Sequence, residues 1–274
     1  MKVAPGTRRM AGHDPWWDGP VSLDLHPVRP AVAVPVSAPD VPAAIAATVR
    51  AREAGAEVVE WRLDALGSDG SEGSGGRLAT ADLLAAVAQL PALRAEGGLP
   101  VLATYRSLLE GGPGGLDDDG YHDLLAALVA VGADAIDVEL TRGEEVVTGP
   151  VRLARDAGVA VVGSSHDFGG TPDDLDVRFA ELARRGSDVL KVATTPDSDA
   201  DVLRLLTSAV RARTALNRVV LPVAMGRLGV LSRVGGALWR APLTFARLGE
   251  GSAPGQLDVR AAAQVLDLLG EAAR

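Results

Sequence analysis

The chain has 274 residues, no cysteine, 47% hydrophobic residues and a net charge of −9. That length allows one large α/β unit or two small domains with a sizeable core, and the missing cysteine excludes disulfides and thiolate metal sites. The acidic balance argues against a nucleic-acid partner. With no apolar span of about 18 residues and no signal-peptide pattern, the protein is expected to be cytoplasmic and soluble, with no membrane partner.

Residues 1–28 stand apart, with Arg8, Arg9, Trp16 and Trp17 among scattered Pro and Gly. They read as an N-terminal extension, either a tail or a cover for one end of the following domain, and His13 and His26 within them are assigned no function. From Ala31 a strand-then-helix pattern repeats through residues 29–274. The strand cores are Ala31–Val36, Glu57–Arg62, Leu99–Thr104, Ala135–Glu139, Val159–Gly163, Asp188–Val192, Val219–Val223 and Leu243–Ala246. Amphipathic stretches follow at Val41–Ala54, Ala81–Gln89, Tyr121–Val131, Leu175–Arg184, Asp201–Ala212 and Val259–Leu269. Eight such units at roughly 25 to 40 residue spacing match an α/β fold of the (β/α)8 TIM-barrel type, about 250 residues long. A doubly wound open sheet is the alternative, but no Gly-x-Gly-x-x-Gly follows the first strand. Gly67–Arg77, rich in Gly and Ser, reads as a flexible linker, and Gly111–Asp119 is a second low-complexity loop.

One residue is out of place in this pattern. Lys191 lies in the apolar run Asp188–Thr194, yet the chain has only one other lysine, Lys2, against twenty-five arginines. Arginine serves as the surface cation throughout. It cannot lose its proton and attack a carbonyl, whereas an amine can once desolvation favours its neutral form. Lys191 is therefore a candidate imine-forming nucleophile, and a snorkelling lysine at a strand end is the structural alternative.

In a barrel of this kind chemistry sits where strands run out into βα loops. Here six strands end in polar residues: Glu60, Arg62 and Asp64; Thr104 and Arg106, with Glu110 beyond; Asp137 and Glu139; Ser164–Asp167; Lys191; and Arg227 to Arg233. Alternation places Glu60, Arg62 and Asp64 on one face, the barrel interior. Unpaired buried charges cost several kcal/mol each, so a cluster like this points to a binding site. His166 precedes Lys191 by one βα unit, which puts imidazole and amine side by side and offers proton transfer next to a nucleophile. Burial and nearby arginines are expected to favour the uncharged amine.

Together these motifs resemble type I 3-dehydroquinate dehydratase. The resemblance runs from about Ala31 to Leu269 and rests on Glu60-Trp61-Arg62-Leu63-Asp64, Thr104-Tyr105-Arg106, Ser164-Ser165-His166-Asp167-Phe168, Leu190-Lys191-Val192-Ala193, Met225-Gly226 to Ser232-Arg233, and Ser252-Ala253-Pro254-Gly255-Gln256. It implies a hydro-lyase of the shikimate pathway that acts on 3-dehydroquinate without metal or cofactor, as a homodimer. It also implies Lys191 as the Schiff-base lysine, His166 as the general acid and base, and Glu110 as the carboxylate orienting His166. Arg233 resembles the group that holds the substrate carboxylate, and Glu60, Arg62 and Arg106 resemble hydroxyl-binding groups. Ser252 and Gln256 resemble residues of a closing loop. The first strand carries Pro35 where some relatives of this family place a substrate-contacting serine.

Two other readings compete. A class I aldolase would also place an imine-forming lysine on strand six, but it calls for a late phosphate-binding loop, where this chain has Ser-Ala-Pro-Gly-Gln. A non-catalytic quinate- or shikimate-binding protein would need neither the amine nor the imidazole.

Overall fold

The computed structural model describes residues 23–68, 78–249 and 255–272. Trp16, Trp17, His13, Ser252 and most of the Gly67–Arg77 linker lie outside the described residues. Eight strands, β1 (Ala31–Ser37), β2 (Val58–Arg62), β3 (Val101–Thr104), β4 (Ala135–Glu139), β5 (Ala160–Asp167), β6 (Val189–Thr194), β7 (Val219–Ala224) and β8 (Leu243–Phe245), alternate with helices. The helices are α1 (Val41–Ala54), α2 (Thr80–Val87), α3 (Leu90–Gly97), α4 (Asp118–Ala130), α5 (Glu144–Ala157), α6 (Leu175–Arg184), α7 (Asp199–Leu216), α8 (Val230–Val234) and α9 (Val259–Ala272). All paired strands are parallel, in the order β7-β6-β5-β4-β3-β2-β1-β8. The sheet thus wraps into a nearly closed (β/α)8 barrel whose one open seam, among the described residues, lies between β7 and β8. Pro222, which has no N–H to give a ladder, stands on β7, beside that seam.

Strand alternation sorts the side chains. Along β1 to β5, Val34, Val59, Trp61, Val101, Ile136 and Val161 pack with residues of the surrounding helices such as Ala44, Leu90, Leu124 and Val147. The alternate set, Ala33, Val58, Leu102, Ala135, Ala160 and Val162, fills the barrel axis. One or two pleats further toward the strand C-termini the inward set becomes polar: Glu60, Thr104, Asp137, Glu139, Ser164 and Lys191, all buried. At the opposite end Leu23 and Leu25 are buried with the axial core.

That end is also held by three acids of matching placement. Glu57, Asp134 and Asp188 each immediately precede an even-numbered strand and accept a backbone N–H at the start of the preceding odd-numbered one. The bonds come from Val32 at 3.0 Å, Val101 at 2.8 Å and Val161 at 2.8 Å. Burial pushes the Asp134 and Asp188 carboxyls up, and the N–H they accept opposes it.

Local chemistry explains the helix limits. Asp40 caps α1 by accepting from Ala43 N at 2.8 Å, and Gly55, at φ 107°, ends it. Ser198 and Asp201 form a reciprocal capping box at the start of α7. Three helices depart from the sequence expectation: α3, α5 and the short α8 fall where no helix was assigned. Within α5 lies Gly149-Pro150, a pair that ordinarily interrupts a helix. Pro150 cannot donate to the Val146 carbonyl, but His122 on α4 donates its Nδ1–H to that oxygen at 2.9 Å. The orphaned acceptor is thereby satisfied and the helix continues. Gly149 belongs to the same arrangement, because a Cβ there would come within 3.1 Å of the His122 ring.

Candidate active site

The polar mouth of the barrel surrounds a cavity of about 250 Å³. Of the residues singled out from sequence, Glu60, Arg62, Arg106, Glu110, His166, Lys191, Arg233 and Gln256 all line it, as does Pro35. Ser252 lies outside the described residues. Strand β5 is longer than expected, so His166 is its seventh residue instead of the start of a loop. Parallel pairing sets Lys191 opposite Ser164 and His166 opposite Ala193, so the amine lies one pleat deeper than the imidazole on adjacent strands. Asp64 is not part of β2. It sits in the 3-10 turn Leu63–Ala65, where its carboxylate accepts from Arg62 Nε at 3.0 Å, Arg62 Nη2 at 2.7 Å and Arg106 N at 2.9 Å.

Arg106 is the hub of the floor. Its Nη1 donates to Glu139 at 2.9 Å, Glu110 at 3.2 Å and Ser164 Oγ at 2.9 Å, and its Nη2 lies 2.8 Å from Asp137 Oδ2. The guanidinium is buried among three carboxylates and the Ser164 hydroxyl. Lys191 Nζ donates to the same Asp137 oxygen at 3.2 Å, lies 3.9 Å from Glu60 Oε1 and sits 4.8 Å from the Phe245 ring centroid. The groups flanking the amine are therefore carboxylates and an aromatic face, not the arginines expected from sequence. Glu60 is held by Thr104 Oγ1 at 3.0 Å.

Four cationic side chains, Arg62, Arg106, Lys191 and Arg233, thus meet five carboxyl groups, Glu60, Asp64, Glu110, Asp137 and Glu139. Their titration follows from position. Burial would raise Asp137, yet Arg106, Lys191 and His166 hold it well below the usual carboxylate range. Glu110 goes the other way: burial, with Glu139 and Asp137 nearby, pushes it up to about 8 against the pull of Arg106. His166 is held well below its ordinary value by burial, then by Arg106 and Lys191. Glu110 Oε2 lies 2.7 Å from His166 Nδ1, and Thr141 Oγ1 donates to Glu110 Oε1 at 3.1 Å.

Glycines shape the rim. Gly111, at φ 76°, packs under Phe168, whose ring stacks on His166 at 6.4 Å, and a Cβ at Gly111 would lie 2.2 Å from that ring. Arg233 arrives from α8 and is buried, and its Nε has no hydrogen-bond partner among the described residues. Burial alone lowers its pKa. Sequence reading gave no role to Asp137 or Ser164. The signal was the i, i+2 spacing of Asp137 and Glu139 on a strand that places both inside the barrel.

This fold and mouth define a barrel enzyme with a buried amine beside a carboxylate-tethered imidazole. A family model for type I 3-dehydroquinase matches residues 32–273. The chain belongs to the type I 3-dehydroquinase family and is a hydro-lyase of the 3-dehydroquinate dehydratase class. It is 36% identical over 239 residues to the 3-dehydroquinate dehydratase of Lactiplantibacillus plantarum, covering 86% of this chain and 91% of that one. With the 3-dehydroquinate dehydratase of Klebsiella pneumoniae it shares 36% identity over 222 residues, 79% of this chain and 84% of the relative. The crystal structure of type I 3-dehydroquinate dehydratase from Clostridium difficile with covalently modified comenic acid superposes with a TM-score of 0.81 at 30% identity, covering 90% of this chain and 95% of that one. Membership of this family displaces the aldolase reading. No helix among the described residues is long and apolar enough to cross a membrane.

Proposed function

We propose that this chain dehydrates 3-dehydroquinate to 3-dehydroshikimate by syn elimination through an imine on Lys191. The observation that carries the reading is a buried primary amine, in a chain almost devoid of lysine, lining the same cavity as an imidazole whose Nδ1 is tied to a carboxylate. The covalently modified ligand in the Clostridium difficile relative is consistent with a nucleophile in that fold.

In this reaction the neutral amine of Lys191 adds to the C3 carbonyl carbon, the oxygen leaves as water carrying one proton from the nitrogen and one taken up from solvent, and nitrogen keeps its other proton as the protonated imine. That cation is an electron sink and acidifies the adjacent C2–H. Glu110 fixes the ring through Nδ1, so Nε2 of His166 takes the C2 proton and the electron pair moves to nitrogen as an enamine. The enamine then expels the C1 hydroxyl, which departs as water with the proton that His166 had taken. Hydrolysis of the conjugated protonated imine restores the neutral amine, returns to solvent the proton taken up in the first step and frees the product. One water is lost overall and His166 ends as it began. A planar guanidinium suits the substrate carboxylate, and Arg233 is the buried one without a carboxylate partner among the described residues. Glu60 and Arg62 would meet ring hydroxyls, with Gln256 at the rim, while Arg106 would act on the substrate mainly through the carboxylates it holds.

The same reading carries a homodimer acting in the cytoplasm on the shikimate route. Its test is borohydride reduction in the presence of 3-dehydroquinate followed by peptide mass spectrometry. An adduct on the Lys191 peptide is expected, and its absence, with turnover intact, overturns the covalent mechanism.

A further inference from the structure

Among the described residues, Asp137 is the group that accepts a hydrogen bond from Lys191 Nζ. Its place does not depend on that lysine. Oδ1 accepts from Ser164 Oγ at 2.6 Å, Oδ2 lies 2.8 Å from Arg106 Nη2, and Ser164 Oγ itself accepts from Arg106 Nη1 at 2.9 Å. All three residues are buried, and both tethers come from neighbouring strands or their loops. The carboxylate is therefore a fixed acceptor at the foot of the cavity.

An ammonium has three N–H donors and can satisfy a fixed acceptor in many rotations. A protonated imine has one, and it lies in the plane of the C=N bond. Directing that single N–H at a fixed oxygen sets the rotation of the whole plane about the lysine Cε–Nζ bond. The plane in turn decides which face of the adjacent carbon meets a base on one side of the cavity.

We propose that Asp137 is a positioning residue for the covalent intermediate: its Oδ2 accepts the lone N–H of the protonated imine on Lys191 and so sets which C2 hydrogen faces His166. This rests on the imine reading above and adds a role for a residue that touches the substrate only through the lysine. Glu60 is the competing acceptor, but it stands 3.9 Å from Nζ and already receives Thr104 Oγ1.

The test uses the full chain with 3-dehydroquinate deuterated stereospecifically at C2, one sample for each face, together with borohydride trapping. The unmodified protein removes label from one face only. Asp137→Ala deletes the acceptor and should erode that selectivity by about tenfold or more, the worth of one hydrogen bond. Asp137→Asn keeps an oxygen in place and should largely restore it, a rescue that a packing role would not predict for stereochemistry. Ser164→Ala removes one tether and should erode selectivity by a few-fold, which keeps the idea open to refutation if Asp137→Ala does not fold. Unchanged facial selectivity in Asp137→Ala, or in Ser164→Ala where the first variant is lost, overturns the proposal. Trapping separates the two layers: an adduct on Lys191 in every variant leaves the imine reading standing, whereas no adduct in the unmodified protein removes that reading itself.

Discussion

The Glu110 carboxylate approaches His166 Nδ1 at 2.7 Å inside a pocket that excludes solvent from the acid altogether. Such a pair titrates as a unit. With Glu110 protonated, Nδ1 is the acceptor and Nε2 carries hydrogen; with Glu110 ionised, Nδ1 donates and Nε2 offers a lone pair to the cavity. Only the second form can take a proton from carbon. Because Glu110 is pushed up to about 8, kcat/KM should rise with pH along a limb governed by this pair. Glu110→Gln holds the ring by an amide N–H, which fixes the wrong tautomer. It should cost on the order of 10²–10⁴ in kcat and remove the limb, as read from a pH–rate profile.

Stability carries the opposite slope. The folded chain keeps the Glu110 proton up to about 8, while the unfolded chain releases it near the ordinary 4.5, so this group makes the fold lose stability as pH rises between those values. Glu110→Gln should flatten the fall in urea unfolding measured from pH 5 to 8. A denaturation series showing the same slope in both proteins would contradict the assignment.

Removal of the nucleophile and of the base should separate cleanly. Lys191→Ala is expected to abolish both the borohydride adduct and turnover. His166→Ala should still form adduct while kcat drops by on the order of 10²–10⁴, the usual share of general acid–base catalysis. Near wild-type turnover by the lysine variant would rule out covalent chemistry.

Arg233 is predicted to act on binding. Arg233→Ala loses a charge-assisted pair worth about 1.5–3 kcal/mol, so kcat/KM should fall by about 10- to 150-fold. Arg233→Lys restores the charge without the fork and should recover part of the loss. Steady-state kinetics with carboxylate-bearing and carboxylate-free ketones would check it, since the effect should vanish with the latter.

Away from the mouth, His122 and Pro150 form a coupled pair. His122→Ala leaves the Val146 carbonyl without its donor and should destabilise the fold by about 1–3 kcal/mol. Pro150→Ala supplies a helical N–H to the same oxygen, so in that background His122→Ala should cost much less. A double-mutant cycle in denaturant measures the difference, and strict additivity would dismiss the link.

Strand cores were enough to read the barrel from the chain, and lysine scarcity to single out Lys191, which lines its mouth, because a period-two apolar run and an anomalous residue are local signals. The persistence of α5 through Pro150 depends on a residue outside its own segment: His122, in the preceding helix, supplies the donor that Pro150 lacks. Asp137 was visible at the mouth, but its bond to Lys191 spans 54 positions and depends on the stagger between β4, β5 and β6. Asp64 was placed by alternation on a strand that had already ended, and the 3-10 turn returned its carboxylate to the same site. The arginines expected next to the amine proved to be screened from it by Asp137 and Glu60, an ordering that net charge cannot convey.

Three of the four strand pairs in the cylinder are pinned at their base by an acid, through Glu57, Asp134 and Asp188, and the fourth is not: Pro242 precedes β8, and β7 and β8 share no ladder among the described residues. Arg233 stands beside that unpinned pair, lining a small void shared by Leu221, Val223, Thr244 and Phe245. In the proposed binding mode, a ligand gripped by Arg233 on one side and bonded to β6 on the other would act as a stave beside the gap. Occupancy should therefore slow amide exchange in β7 and β8 far more than in the six pinned strands, so that the reactant itself completes the hoop around its own reaction chamber.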